Sequence, residues 1–197
     1  GLMSVVRDRT QARRAAIFSR DFISGVLQTE AAARYITSLP FPGPYQEVTP
    51  ADRDRVVRFR LDSQHVLESV PTEFIIAHSA LQGVPPELRR SQAQHVVRMT
   101  EDGKPWSVRY ISEGVALPSD VTHNFSVTYM PQGASAHYEG YSLTHDPDGT
   151  IVGLEDLTEG YVPVDSPEVA TYEAQLATLG TLALNPFDSV EALRRMS

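Results

Sequence analysis

The sequence predicts an α+β fold, with an antiparallel or mixed sheet packed with N- and C-terminal helices. Three observations predict it. Helix-forming residues fill the first third of the chain. Alternating apolar residues in the middle read as strands, with one helix among them. A single apolar stripe marks the last stretch. The order of elements shows no β–α–β alternation, which argues against a doubly wound sheet. One domain over residues 1–197 is the expectation for a chain of this length.

Taken in order, residues 7–19 are good helix formers with Ala12, Ala15 and Ala16 on one side, and predict a first helix. Ser24-Gly25 interrupts, and a second helix runs from Val26 or Leu27 to Ser38, before Pro40. Phe41-Pro42-Gly43-Pro44 excludes regular structure. Thr49-Pro50-Ala51-Asp52 starts a third helix, with Thr49 as cap, and Pro71 stops it after about Ser69. Strand character begins at Glu73 and runs through the apolar Phe74–His78. Pro85-Pro86-Glu87 opens a helix to about Thr100, which Asp102-Gly103 ends.

Residues 106–111 (WSVRYI) and 125–130 (FSVTYM) alternate as strands. Residues 134–144 and 150–156 flank Asp146-Pro147-Asp148-Gly149, a hairpin connection. Ser166-Pro167-Glu168 opens a helix whose stripe is Val169, Tyr172, Leu176, Leu179 and Ala183. Asn185-Pro186 breaks it, and Asp188 with Glu191 three residues on suits the cap of a final short helix.

Composition removes several function classes. Charged residues are 21% and apolar residues 41%, a globular balance. There are 17 basic and 25 acidic side chains, a net charge of −8, so no direct DNA binding is expected of this chain. The arginines at 7, 9, 13 and 14 read as a solvated face, since no recognition helix follows them. With no cysteine there is no disulfide, thiolate nucleophile or Cys-based zinc site, which fits a reducing compartment. No apolar run approaches the roughly 20 residues that span a bilayer, and no secretory signal opens the chain. A cytoplasmic protein without membrane contact is the expectation.

Site chemistry is sparse. The six histidines, His65, His78, His95, His123, His137 and His145, form no HxH or HExxH pair, so no metal site is expected. GxSxG, GxGxxG and GxxxxGK[ST] are all absent, and no cofactor is expected. Paired acids occur at Glu155-Asp156, and Glu113 stands beside the flexible Gly114. Aromatic residues gather in the β region: Trp106, Tyr110, Phe125, Tyr129, Tyr138 and Tyr141. Such a set suits either the core of the sheet or an apolar ligand pocket with a few polar tips.

Residues 24–35, SGVLQTEAAARY, resemble the PGLLQTxxYAR signature of a family of actinobacterial regulators. In that family an Xre-type helix-turn-helix precedes a large C-terminal domain. The likeness continues in Arg60–Leu67 (RLDSQHVL), in Phe74–Gly83 (FIIAHSALQG), and in the closing segments GLEDLTEG, VATYEAQLATLGTLAL and NPFDSVEALRRM. Departures are Ser24 for a proline, Ala32 for a tyrosine, Ser63 for an arginine and His78 for an acid. The helix-turn-helix has no counterpart in this sequence, and Met3, behind a two-residue scar, reads as either the natural start or the start of a trimmed chain.

The resemblance implies a dimeric, signal-receiving regulator domain, paired with a hydrophobic small molecule or a small partner protein. Gln28, Thr29, Glu30, Arg60 and Gln64 are the matching polar positions. Their implied role is structural, Thr29 as a helix cap and Arg60 with Glu30 as an ion pair. A second reading makes the chain a stand-alone enzyme, a cofactor-independent cyclase or isomerase acting on a hydrophobic natural product. One tuned acid or base in a buried pocket suffices for that chemistry, and Glu113, His78, His123 and Glu155 are the candidates.

Overall fold

The computed structural model describes residues 11–39, 49–139 and 157–196, together with the backbone of 144–145 and 151–152. Its centre is a mixed five-stranded sheet with helices flanking it, an α+β fold. The strands are β1 (Arg14–Ser19), β2 (Thr72–Ala77), β3 (Trp106–Ile111), β4 (Phe125–Met130) and β5 (Gly133–Tyr138), in the order β3-β2-β1-β4-β5. The helices are α1 (Glu30–Ser38), α2 (Pro50–Asp62), α3 (His78–Gln82), α4 (Pro86–Glu101), α5 (Pro167–Leu182) and α6 (Pro186–Arg194). A short ribbon pairs β6 (Thr144–His145) with β7 (Ile151–Val152).

The largest departure from expectation is β1. Its alanines and arginine favour a helix in isolation, but Ile17 and Phe18 are 1% and 0% exposed and lie between two neighbouring strands. Burying those side chains on opposite faces stabilises by about 1.5–3 kcal/mol each, more than helix propensity offers over six residues. The expected helix over residues 7–19 is therefore a strand from Arg14 onward. Residues 7–10, like Phe41–Pro44 and the Asp146–Gly149 connection, lie outside the described residues.

A second correction follows from the first. β1, β2 and β3 run parallel, and helices connect each to the next, so β–α–β–α–β alternation is present after all. β4 lies antiparallel to β1, and β5 to β4. The register sorts the core into two layers. Ile17, Phe74 and Val108 form a row under α4 and α6, which contribute Val96, Val97 and Leu193. On the opposite face Phe18, Ile75, Ile111, Phe125 and Val127 meet Val169 and Leu179 of α5.

Both margins of the sheet are tied down. At β3, Tyr110 N–H donates to Ser189 Oγ (2.8 Å) and its carbonyl accepts from Leu184 N–H (2.9 Å). At β5, Ala134 exchanges backbone bonds with Val162, and the Ala136 carbonyl accepts from Leu157 N–H.

Helix ends mostly follow the sequence. Ser166 caps α5, accepting from Val169 N–H. The cap of α6 is Asn185, which accepts from Asp188 N–H (2.8 Å), so Asp188 supplies the amide. α2 ends at Asp62 and tightens into a 3₁₀ turn over Ser63–Leu67. There the Ser63 hydroxyl donates back to the Phe59 carbonyl, a contact that loosens a helix end.

Candidate functional site

The three parallel strands end at one edge of the sheet, at Ser19, Ala77 and Ile111. A loop follows β1 and β3 and helix α3 follows β2, and between these segments lies a crevice. In open α/β sheets such crevices at carboxyl ends are where ligands bind. Here the crevice is a cleft of about 480 Å³. Arg20 and Asp21 follow β1, His78 and Gln82 follow β2, and Ser112 and Glu113 follow β3. Ala77, Ile111, Val115 and Leu117 form its apolar part.

The turn after β1 is held from three directions. Asn124, just before β4, accepts from the Arg20 and Asp21 amides (2.6 and 2.9 Å) and donates to the Phe22 carbonyl (2.8 Å). The Ser79 hydroxyl donates to the Arg20 carbonyl. Gly83 lets the chain approach: a Cβ there would stand 2.2 Å from the Asp21 carbonyl oxygen. The Arg20 guanidinium is itself engaged, donating to the Thr122 carbonyl (2.9 Å) and to Asp21 (3.3 Å).

His78 stands at the start of α3, where β2 ends. Its Nδ1 is 2.6 Å from the Tyr110 hydroxyl, and its Nε2 is 3.8 Å from Glu113 Oε1. The Tyr110 phenol is pushed up to about 12, first by burial and then by the Glu113 charge, so it keeps its proton. Glu113 is mostly exposed, on a turn that Gly114 closes with a φ of +81°, a conformation glycine adopts without strain.

Two sequence candidates, His78 and Glu113, thus meet in one cleft, and the buried Tyr110 bonds to His78 from behind it. His123 lies at the same sheet edge but packs against Tyr138 and Phe125, with ring centroids 5.1 and 6.4 Å away. Burial holds its pKa below the ordinary histidine value. The other rings are spread over the sheet. Trp106 sits at the opposite end of β3, packed edge-on against Phe74, with its indole N–H on the Leu67 carbonyl. Phe125 and Tyr129 face α5, where the Tyr129 hydroxyl donates to Glu173 (2.6 Å) and Arg14 covers the ring. Tyr141 and Glu155 lie outside the described residues.

The matching polar residues of the family likeness, Gln28, Thr29, Glu30, Arg60 and Gln64, lie apart from the cleft. Thr29 caps α1 by accepting from Ala32 N–H, and its own N–H donates to Gln92. Gln92 also donates to the Leu27 carbonyl (2.6 Å). Arg60 donates to Gln28, Gln64 donates to the Gly25 and Gln28 carbonyls, and Glu30 pairs with Arg34. None of these side chains lines the cleft.

Sequence reasoning missed Arg20, Asp21, Gln82, Ser112 and Asn124. Arg20 and Asp21 lie just past β1, Ser112 just past β3 and Asn124 just before β4, while Gln82 ends α3; the places of Arg20 and Asp21 are readable only once β1 is known to be a strand. Among the described residues, no group of three or more His, Asp or Glu side chains is placed to hold a metal ion. No described helix is long and apolar enough to cross a membrane.

No curated protein matches this chain. A family model described as a domain of unknown function, DUF5753, matches residues 4–195. That span takes in every strand and helix described above, and the chain belongs to the DUF5753 family.

Proposed function

We propose that this domain is a small-molecule-binding module of the regulator type, resembling the effector half of Xre-type transcription regulators, and that its ligand occupies the cleft at the carboxyl ends of β1, β2 and β3. The observation that carries this reading is the cleft itself, where the segments following three strands bring polar groups beside apolar Ala77, Ile111, Val115 and Leu117. The ligand then needs hydrogen-bonding groups as well as apolar surface, more polarity than the aromatic residues of the sequence suggested. Binding acts by shifting a population of conformers, and a dimer formed through helical faces passes that shift to a second copy.

A ligand-observed NMR screen of a small-molecule library against the chain tests this. The expected hits lose binding when Ser112→Trp fills the cleft. Hits that bind the Ser112→Trp protein unchanged place the ligand elsewhere and end the proposal.

A second reading, a cofactor-independent cyclase or isomerase, is favoured by the placement of His78 between Tyr110 and Glu113. An imidazole between a phenol and a carboxylate is equipped to pass a proton. Such a reaction changes chromatographic retention at constant mass. Incubation with a panel of hydrophobic natural products should show that change, and His78→Ala should remove it. Retention changes that persist in His78→Ala and Glu113→Ala proteins exclude these residues from the chemistry.

A further inference from the structure

We propose that Tyr110 is a positioning residue which holds the neutral His78 ring with its proton on Nε2, and that His78 and Glu113 together read the C=O/N–H edge of a neutral cyclic amide. The proposal rests on the cleft being the ligand site.

The tautomer follows from two neighbours. Tyr110 is 3% exposed, and its hydroxyl lies 2.6 Å from His78 Nδ1. A buried O–H without an acceptor costs about 1–3 kcal/mol, so the phenol donates and Nδ1 accepts. In the neutral ring the proton then sits on Nε2. On the other side Nε2 faces Glu113 Oε1 at 3.8 Å. A carboxylate offers only lone pairs, and an N–H suits it where a second lone pair would not. Both neighbours favour the same form.

The ligand class follows from what the pair leaves available. At 3.8 Å the two groups are too far apart for a good direct hydrogen bond, so each keeps capacity for a ligand. The cleft therefore presents a donor beside an acceptor. A carboxylate ligand meets repulsion from Glu113, and the Arg20 charge is offset by Asp21 at 3.3 Å, although the Arg20 Nε–H has no hydrogen-bond partner among the described residues. An ammonium suits Glu113 but turns a donor toward the Nε2–H. An edge with a carbonyl next to an N–H satisfies both groups without burying a charge. Lactams and pyrimidine bases both carry that edge.

Long-range nitrogen–proton NMR of histidine-labelled protein reads the tautomer directly, with His78→Gln assigning the signal. The expected result is Nε2–H in the parent chain and a mixture in Tyr110→Phe. The same signal is then followed with 2-piperidone, uracil, acetate and methylammonium at equal concentrations. Saturable shifts from 2-piperidone or uracil, and none from the two ions, support the proposal. Whichever of the two amides binds more tightly identifies the lactam or the nucleobase as the source.

Glu113→Gln, on an exposed side chain, should weaken amide binding roughly tenfold and tests the recognition even if Tyr110→Phe does not fold. An Nδ1–H ring, or shifts caused by acetate or methylammonium in place of the amides, overturns the amide assignment and leaves the cleft reading intact. A cleft silent to all four probes overturns the proposal, and if the library screen yields no hits that Ser112→Trp blocks, the cleft reading falls with it.

Discussion

The parallel and antiparallel halves of the sheet place their polar side chains in opposite ways. On the face under α4 and α6, the parallel strands carry Ile17, Phe74 and Val108 at their centres, with the buried polar residues Ser19 and Thr72 at strand ends and further polar groups past the carboxyl ends. On that same face the β4–β5 hairpin carries Ser126, Thr128, Ser135 and His137 within the strands, all buried. Ser135 and His137 lie two apart on one side of β5, with Oγ and Nε2 2.9 Å apart. Inside the hairpin the Ser135 hydroxyl and the His137 ring meet each other, Thr128 Oγ1 is buried with no hydrogen-bond partner among the described residues, and none of the four side chains lines the cleft. Polar groups just beyond a strand end remain open to a ligand. The contrast explains why the cleft lies where it does, and not in the more polar half of the sheet.

Mutation can break this contrast at its strongest point first. Phe74→Ala removes a fully buried ring from the parallel half and should cost about 3–5 kcal/mol in urea denaturation. Ligand binding in the cleft should weaken with it, because β2 delivers His78. In the hairpin half, Ser135→Ala takes from His137 Nε2 its hydroxyl partner and should cost about 1–3 kcal/mol, with cleft binding unchanged. Equal losses of binding in the two variants would erase the distinction.

Alkaline titration sharpens the comparison. Tyr110 of the parallel half is raised to about 12 and Tyr129 of the hairpin is raised too, by burial and by its bond to Glu173. A phenol near its ordinary value of about 10 loses its proton in the unfolded chain while the folded chain retains it. Stability is then full below pH ~10 and falls as pH rises toward the folded value. Tyr110→Phe and Tyr129→Phe should each flatten that fall when denaturation midpoints are compared from pH 9 upward.

The smallest effect is expected on the acid side, from His123 at the entrance to β4. Burial lowers its pKa, so the unfolded ring takes up a proton that the folded ring resists. Its contribution is present above pH ~6.5 and declines as pH falls below that value. His123→Gln should make the acid side of the profile shallower.

Much of the fold was legible because local signals agreed with tertiary ones. β3 and β4 run over the predicted residues, 106–111 and 125–130, since alternation and β-branched content point the same way. The starts of α2 and α5 were readable from Thr49-Pro50 and Ser166-Pro167. β1 was not, because its alanines and arginine carry a helical signal that only its place between β2 and β4 overrides. With β1 hidden, the parallel unit was hidden too, and so was the edge where the cleft lies. His78 and Glu113 were singled out as separate residues, and their meeting depends on β2 and β3 being neighbours. Alternation alone does not say which strands adjoin, so Tyr110 could not be told from Phe125 and Tyr129, which face the other layer.

The bonds that Tyr110 makes with Ser189 and Leu184, and those that Ala134 and Ala136 make with Val162 and Leu157, occupy strand margins that would otherwise accept a foreign strand. Growth of the sheet by strand addition is stoppered at these points, a safeguard against fibrillar stacking. Any second protein that engages this domain there must lie across helices or turns, so its footprint will be read in side chains and hardly at all in backbone amides.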